Sequence, residues 1–191
     1  MRITLYLKKI EYTPIPVNLV ANEQSSAEHI SINPQGLVPT LETNEGTTIT
    51  QSLAICEYLE EMYPAPALLP ATAIDRAKVR GLTALVASDI HPIANLRVRL
   101  YLSSVLAVDE AAVGQWSLHW IKAGFQAYET ILNESHGAKY SCGEAVSLVD
   151  VCLVPQVYNA NRIKMDMTNY PLLQAVADRC NLLPAFISAH P

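Results

Sequence analysis

The sequence predicts a small α/β domain followed by a larger all-helical domain. Over residues 1–63, short segments with the strand period of two alternate with short helical segments, whereas the later apolar spacing is helical almost to the end. Between them lies Pro64–Pro70, whose three prolines exclude a helix and favour an extended chain. We therefore expect a first domain at 1–63, a linker at 64–72 and a second domain at 73–191.

The composition favours a globular protein with a substantial core. Half of the 191 residues are apolar, and the net charge of −5 argues against general nucleic-acid binding. The first residues do not resemble a signal peptide, and no apolar run reaches the roughly eighteen residues of a membrane helix. We therefore expect a cytoplasmic protein that binds no membrane. The four cysteines form no C-x-x-C pair and have no histidine at metal-ligand spacing, so we expect reduced thiols and no metal site.

The first domain is predicted to contain a hairpin between helices. Asn44-Glu45-Gly46 is typical of a hairpin turn, and two prolines confine one further strand to a sheet edge. The expected elements are a helix at Ile3–Ile10, an edge strand at Tyr12–Leu19, a short helix or turn at Ala27–Ile32, strands at Val38–Glu42 and Thr47–Thr50, and a helix at Ser52–Tyr63.

The second domain is predicted to be a helical bundle. Ser147 and Asp150 have the spacing of a capping box, with Val146 and Val151 placed as a hydrophobic staple, and the apolar helix that follows should form the core. The expected helices are Ile74–Ser103, bent at Pro92, then Glu110–Ser135, Ser147–Ala160, Tyr170–Cys180 and Pro184–Ser188.

The segment Asn33–Leu41, followed by Gln51–Ile55, is the most informative motif. A cis Val38-Pro39 bond would leave the backbone N–H and C=O of Val38 unpaired, so that an extended peptide could bind there like an added strand. Ser52 stands where a helix begins, so we expect it to cap free N–H groups there, and the N–H groups of a helix N-terminus attract a carboxylate. An ordinary X-Pro turn and an ordinary helix cap are the alternative. Together the two features can hold the two ends of a small acidic peptide.

Four motifs in order resemble the zeta class of glutathione transferases, which includes the maleylacetoacetate isomerases. The resemblance implies the glutathione transferase fold: a thioredoxin-like α/β domain, here without its first strand, followed by a helical bundle. It runs from Arg2 to the end of the chain. The motifs are Asn33–Leu41, Gln51–Ile55, Ile90–Val98 and Asp150–Ala160.

The resemblance also implies a glutathione site. Val38 would pair with the cysteinyl backbone of glutathione, and Gln51 and Ser52 would bind its γ-glutamyl end. The helical domain would supply His91, although a structural role is the alternative for a histidine before a proline. The implied glutathione-binding residues are Val38, Pro39, Gln51, Ser52, His91 and Asn95.

Two arginines are implied to bind the substrate. Arg97 would line the cleft, and Arg162 matches an arginine that meets a substrate carboxylate. Guanidinium groups bind carboxylates through paired hydrogen bonds, so two arginines suit a dianionic acid. The alternatives are that Arg97 solvates a helix face beside Arg99, and that Arg162 stabilises the negative end of a helix dipole.

The sequence departs from the family at its start. Zeta-class chains begin with a strand and a Ser-Ser-x-x-x-Arg-Val motif that favours the glutathione thiolate. Met1 stands where the family has the valine, so that motif lies upstream of Met1 and no catalytic residue of it is retained. We interpret the chain as an N-terminally shortened version of an ordinary enzyme, its valine codon having been read as a start. An in-frame stop codon directly upstream would contradict this interpretation.

The activity implied by the resemblance is glutathione-dependent cis–trans isomerisation of maleylacetoacetate to fumarylacetoacetate, a step of tyrosine catabolism. Glutathione would act as a cosubstrate that is not consumed, and the protein would be a homodimer. One alternative is a transferase that acts on small electrophiles or α-haloacids. Another is a non-catalytic binding protein with the same fold, which the absent serine motif favours.

Overall fold

The computed structural model describes residues 1–134 and 138–190, which form two compact units. Unit 1 comprises Met1–Ala67 together with the chain end from Ser188, and unit 2 comprises Leu68–Ile187. No described helix is long and apolar enough to cross a membrane.

Unit 1 contains the predicted hairpin. Its two strands are antiparallel, with Thr40 opposite Thr50, and Gly46 adopts a φ of +79° in the turn that joins them. The first helix ends at Leu7, three residues before the predicted end. Leu5 of this first helix packs with Ile55 and Leu59 of the helix that follows the hairpin, and the three form the core of unit 1. The elements are α1 (Arg2–Leu7), a 3₁₀ turn (Glu23–Ser25), α2 (Ala27–Ile32), β1 (Thr40–Glu42), β2 (Thr48–Thr50) and α3 (Ser52–Met62).

The prediction of an edge strand at Tyr12–Leu19 was wrong. The segment has no regular structure, and the sheet of the described residues consists of β1 and β2 alone. Pro14 and Pro16 lack the N–H that a strand donates, and no described strand offers the segment a partner. Tyr12 packs against the core, but Ile15 is 84% exposed, so the apolar alternation indicated neither strand pairing nor a buried face.

A buried ion pair fixes the end of α3. The side chain of Lys8 is fully buried, and its Nζ lies 2.7 Å from a carboxylate oxygen of Glu60. The same ammonium donates to the backbone oxygens of Tyr63 and Pro66. Because a buried charge is tolerated only when it is paired and hydrogen-bonded, these contacts tie the proline-rich segment after α3 to unit 1.

Unit 2 is built around α7, as the sequence predicted. Most residues of α7 are buried, and the helix packs against α4, α8 and a π-helical segment that continues α4. The predicted end of the preceding helix, at Ser135, lies outside the described residues. The elements are α4 (Ala73–Ala84), the π-helical segment (Leu85–Ile90), α5 (Leu96–Ser104), α6 (Glu110–Glu134), α7 (Leu148–Arg162), α8 (Pro171–Asn181) and α9 (Pro184–Ser188).

The prediction of one long helix over Ile74–Ser103 was also wrong. After the π-helical segment the chain makes a turn, and α5 begins again at Leu96. Pro92 cannot donate a helical hydrogen bond, and the side-chain oxygen of Asn95 accepts from the backbone N–H of Arg97, which caps a new helix. The sequence predicted a bend, whereas the structure has a break.

The predicted capping box at the start of α7 is confirmed. Asp150 is fully buried, and its carboxylate accepts from the backbone N–H and the hydroxyl of Ser147, at 2.7 and 2.9 Å. The other carboxylate oxygen accepts from the backbone N–H of Ser141 at 3.0 Å. The buried charge is therefore satisfied by three donors, which anchors both α7 and the chain that enters it.

Candidate functional site

In unit 1, a buried asparagine shapes the loop before β1. Asn33 is 1% exposed, and its side-chain amide donates to the backbone oxygen of Leu37 at 2.7 Å while accepting from the N–H of Gln35 at 3.1 Å. A ring nitrogen of His29 also lies 3.0 Å from the Leu37 oxygen. Gly36 adopts a φ of +61°, which suits a residue without a side chain. These contacts hold the backbone that leads into Val38.

Val38 presents its backbone as the sequence predicted. The Val38-Pro39 bond is cis, and Val38 is 41% exposed. Among the described residues, none forms a hydrogen bond with the N–H or C=O of Val38, whereas strand pairing begins two residues later at Thr40. The geometry therefore offers one donor and one acceptor to an extended ligand, as in strand addition.

The start of α3 differs from the prediction, because Ser52 does not cap it. The helix begins at Ser52, and the capping position belongs to Gln51, whose φ is +70° and whose side chain does not cap the helix. The amide of Gln51 instead donates to the side-chain oxygen of Gln35 at 2.8 Å. The first N–H groups of α3 still lack intrahelical partners and can attract an anion. Gln51 is held in a sparsely populated conformation, of the kind that often marks ligand sites.

In unit 2, His91 and Asn95 lie in the turn between the π-helical segment and α5. The side-chain nitrogen of Asn95 is 3.3 Å from Nε2 of His91. Trp116 on α6 donates from its ring N–H to the backbone oxygen of Ile93 at 2.9 Å, which fixes the middle of the turn. His91 itself remains accessible although its surroundings are dense.

The electrostatic environment of His91 keeps the ring neutral at physiological pH. Partial desolvation lowers its pKa, the positive charge of Arg97 lowers it further, and the amide of Gln156 on α7 acts in the opposite direction. A neutral imidazole has one donor and one acceptor nitrogen, so it can orient a polar ligand without adding charge.

The two predicted carboxylate-binding arginines are exposed. Arg97 lies in the first turn of α5 beside His91, and Arg162 is the last residue of α7. Neither guanidinium forms an ion pair or hydrogen bond with another described residue. Both are therefore available to an anion. The structure brings Arg97 together with His91 and Asn95, and it records no contact between those residues and Arg162 in the described part of the chain.

Two of the protein's own cysteines, Cys142 and Cys180, are poor nucleophiles. All four are free thiols, and Cys56 and Cys180 are buried. Burial and the nearby Asp150 raise the pKa of Cys180 to about 12 and that of Cys142 to about 11, even though part of Cys142 reaches solvent. Because the thiolate is the nucleophile, Cys142 and Cys180 are poorly suited to supply one.

Sequence reasoning missed the residues that support the site. His29 and Gln35 contact the ligand-facing loop, and Gln156 acts on His91 from a different helix. The available signal for Gln156 was its place as an uncharged polar residue in the otherwise apolar run from Val151 to Val157. Trp116 gave no local signal, since its partner is twenty-three residues away in the chain.

Comparison with known proteins identifies the family. Residues 1–61 match the model of the glutathione S-transferase N-terminal domain. A probable maleylacetoacetate isomerase from Vibrio cholerae is 46% identical over 193 residues, which cover 100% of this chain and 89% of that protein.

Two solved structures extend the similarity to the whole fold. One is a holo maleylpyruvate isomerase described as a bacterial zeta-class glutathione S-transferase, with 46% identity, a TM-score of 0.96, and coverage of 100% of this chain and 90% of that one. The other is a maleylacetoacetate isomerase from Methylobacterium extorquens with bound malonate and glutathione, with 34% identity, a TM-score of 0.96, and coverage of 100% and 89%. The expected fold, a thioredoxin-like domain followed by a helical domain, is confirmed. The chain belongs to the zeta class of the glutathione S-transferases.

Proposed function

We propose that this protein is a glutathione-dependent isomerase that converts maleylacetoacetate to fumarylacetoacetate. The observation that carries the proposal is the exposed, unpaired backbone of Val38 beside the cis proline, in a chain 46% identical to a probable maleylacetoacetate isomerase. Its relatives include structures solved with glutathione in the active site, which supports glutathione as the cosubstrate.

The proposed site has a peptide-binding part and an anion-binding part. Val38 and Pro39 bind the cysteinyl backbone of glutathione, and Gln51 and Ser52 bind its γ-glutamyl end. In unit 2, His91 and Asn95 contact glutathione, while Arg97 and Arg162 bind the two carboxylates of the substrate. The two arginines lack protein partners among the described residues, which supports an acidic substrate.

The reaction follows from the chemistry of a conjugated double bond. The glutathione thiolate adds to the conjugated carbon, and the double bond becomes a single bond as its electrons move to the carbonyl oxygen. Rotation about this bond is then fast. Elimination restores the double bond in the trans geometry and releases the same thiolate, so no atom of glutathione remains in the product. The protein contributes orientation and charge stabilisation.

A second substrate is favoured by one comparison. A maleylpyruvate isomerase from a Ralstonia species is also 46% identical over the whole chain. Maleylpyruvate is likewise a dianionic cis-enedione acid, so the same arginines could bind it. The ratio of kcat/KM for the two substrates decides between them.

The experiment compares arginine variants in turnover of maleylacetoacetate, which carries both carboxylates, and not of its analogue maleylacetone, which carries only one. We expect Arg162→Ala to lower kcat/KM about tenfold to a hundredfold, because a bidentate contact to a carboxylate is lost. Lys122→Ala, which removes an exposed cation on α6, should leave kcat/KM unchanged.

The rivals predict other results. Glutathione binding without isomerisation would support a non-catalytic binding protein, and conjugation of electrophiles or dehalogenation of α-haloacids would support a transferase. On the family resemblance alone, we also propose that the protein is a homodimer and that it is cytoplasmic. Analytical sedimentation tests the first statement, and cell fractionation tests the second.

A further inference from the structure

Gln156 is a buried polar residue that the fold does not explain. It lies on α7 between apolar neighbours and is 2% exposed. Both its side-chain oxygen and its side-chain nitrogen are buried, and neither forms a hydrogen bond of ordinary geometry with a described residue. An amide buried without partners destabilises a fold, whereas an apolar residue of the same shape would not.

The Gln156 amide acts on the ring of His91. The π-helical segment that packs on α7 ends at Ile90, immediately before His91. The Gln156 amide acts on the ring as a hydrogen-bond acceptor would, raising the pKa of His91, although the contact is too long or too poorly aligned to count as an ordinary hydrogen bond. Asn95 contacts the same ring at Nε2.

We propose that Gln156 is a positioning residue that fixes the orientation and tautomer of the His91 ring when glutathione binds. With Nε2 accepting from the Asn95 amide, the ring proton lies on Nδ1, and the side-chain oxygen of Gln156 accepts it. Asn95 and Gln156 thereby hold the ring from α5 and α7, and Arg97 is the charged group that acts on it. This inference rests on the proposed role of His91 in glutathione binding.

The test uses a pair of matched substitutions in the full protein. Gln156→Met keeps the side-chain length and removes both polar atoms, whereas Gln126→Met makes the same change at an exposed position of α6. We expect Gln156→Met to keep or raise the melting temperature and to weaken glutathione binding about fivefold, measured by calorimetry. Gln126→Met should change neither quantity.

A second readout separates positioning from packing. The His91 ring signal, assigned in NMR spectra by its loss in His91→Asn, should titrate at lower pH in Gln156→Met and at higher pH in Gln156→Glu than in the wild type. A purely structural role would not move the titration in opposite directions. An unchanged titration, or unchanged glutathione affinity in Gln156→Met, would overturn the proposal.

The outcome is distinct from that of the proposed function. The ring titration needs no turnover, so a protein that fails to isomerise maleylacetone can still show both pKa shifts. In that case the isomerase proposal fails and the positioning role of Gln156 stands.

Discussion

The two units present their candidate ligand-binding groups in different ways. In unit 1 the proposed contacts are backbone groups of Val38, in a loop that the buried Asn33 and His29 hold through the Leu37 oxygen. In unit 2 the proposed contacts are the side chains of His91, in the turn before α5, and of Arg97, in the first turn of α5. A backbone site should tolerate replacement of the residue that makes the contact and fail when its support is removed. A side-chain site should depend on the contacting residue itself.

The largest effect is expected when the support of the backbone site is removed. Asn33→Ala removes the partner of the Gln35 N–H and one of the two partners of the Leu37 oxygen in a partly buried setting, which should lower the free energy of unfolding by about 2 kcal/mol. Glutathione affinity should fall at least tenfold. Chemical denaturation and calorimetry measure the two quantities.

Two controls sharpen this prediction. Val38→Ala changes the contacting residue but not its backbone and should alter glutathione affinity less than twofold. Asn44→Ala removes an exposed asparagine from the hairpin turn and should be neutral. A loss of affinity in Val38→Ala as large as that in Asn33→Ala would show that unit 1 does not bind through its backbone.

In unit 2, replacement of a contacting side chain should weaken binding without lowering the stability of the fold. Arg97→Ala should raise KM for the dianionic substrate about thirtyfold and leave the free energy of unfolding within about 0.5 kcal/mol, because the guanidinium is exposed and has no described protein partner. Arg97→Lys should recover only part of the loss, since an ammonium cannot make the paired contact. Steady-state kinetics over a range of salt concentrations measures KM for both variants. Full recovery of KM by lysine would exclude a bidentate contact.

An intermediate effect is expected where α6 supports the turn of His91. A methyl group at Gly124 would lie 2.3 Å from two atoms of the buried Ile90 side chain, so Gly124→Ala should destabilise unit 2 by about 1.5 kcal/mol and displace the end of the π-helical segment. Gly114→Ala on the same helix meets nothing within 4 Å and should be stabilising. Thermal unfolding of both variants measures the contrast; equal melting temperatures would contradict it.

The smallest effect concerns strain at Gln51. Because its φ is +70°, Gln51→Gly should raise the free energy of unfolding by about 1 kcal/mol, while the loss of the amide weakens glutathione binding. Gln51→Ala loses the amide but keeps the strain, so it should weaken binding without any gain in stability. A glycine variant that is less stable than the alanine variant would show that Gln51 is not strained.

The features predicted correctly from the sequence are those set by neighbouring residues. The turn Asn44-Glu45-Gly46 and the pair Ser147 and Asp150 act within four residues of chain, and both have the expected structure. The cis bond between Val38 and Pro39 is present, and of the two interpretations that the sequence left open it supports the one that exposes the Val38 backbone.

The features that failed depend on distant partners. The apolar alternation of Tyr12–Leu19 predicts a strand, but a strand needs a neighbouring strand, and none of the described strands pairs with this segment. The break after Ile90 is held by Asn95 and by Trp116 on α6, which a helical period cannot reveal. Gln51 occupies the N-cap position of α3, because β2 ends at Thr50 and only one residue connects it to the helix.

The central claim, that glutathione acts as a cosubstrate that is regenerated, is tested most directly by its stoichiometry. Maleylacetone is incubated with the protein and a small amount of glutathione, and product and free thiol are measured together. We expect many equivalents of the trans product for each glutathione, no product without glutathione, and a constant thiol concentration. Consumption of one thiol per product molecule, or equal turnover without glutathione, would contradict the claim.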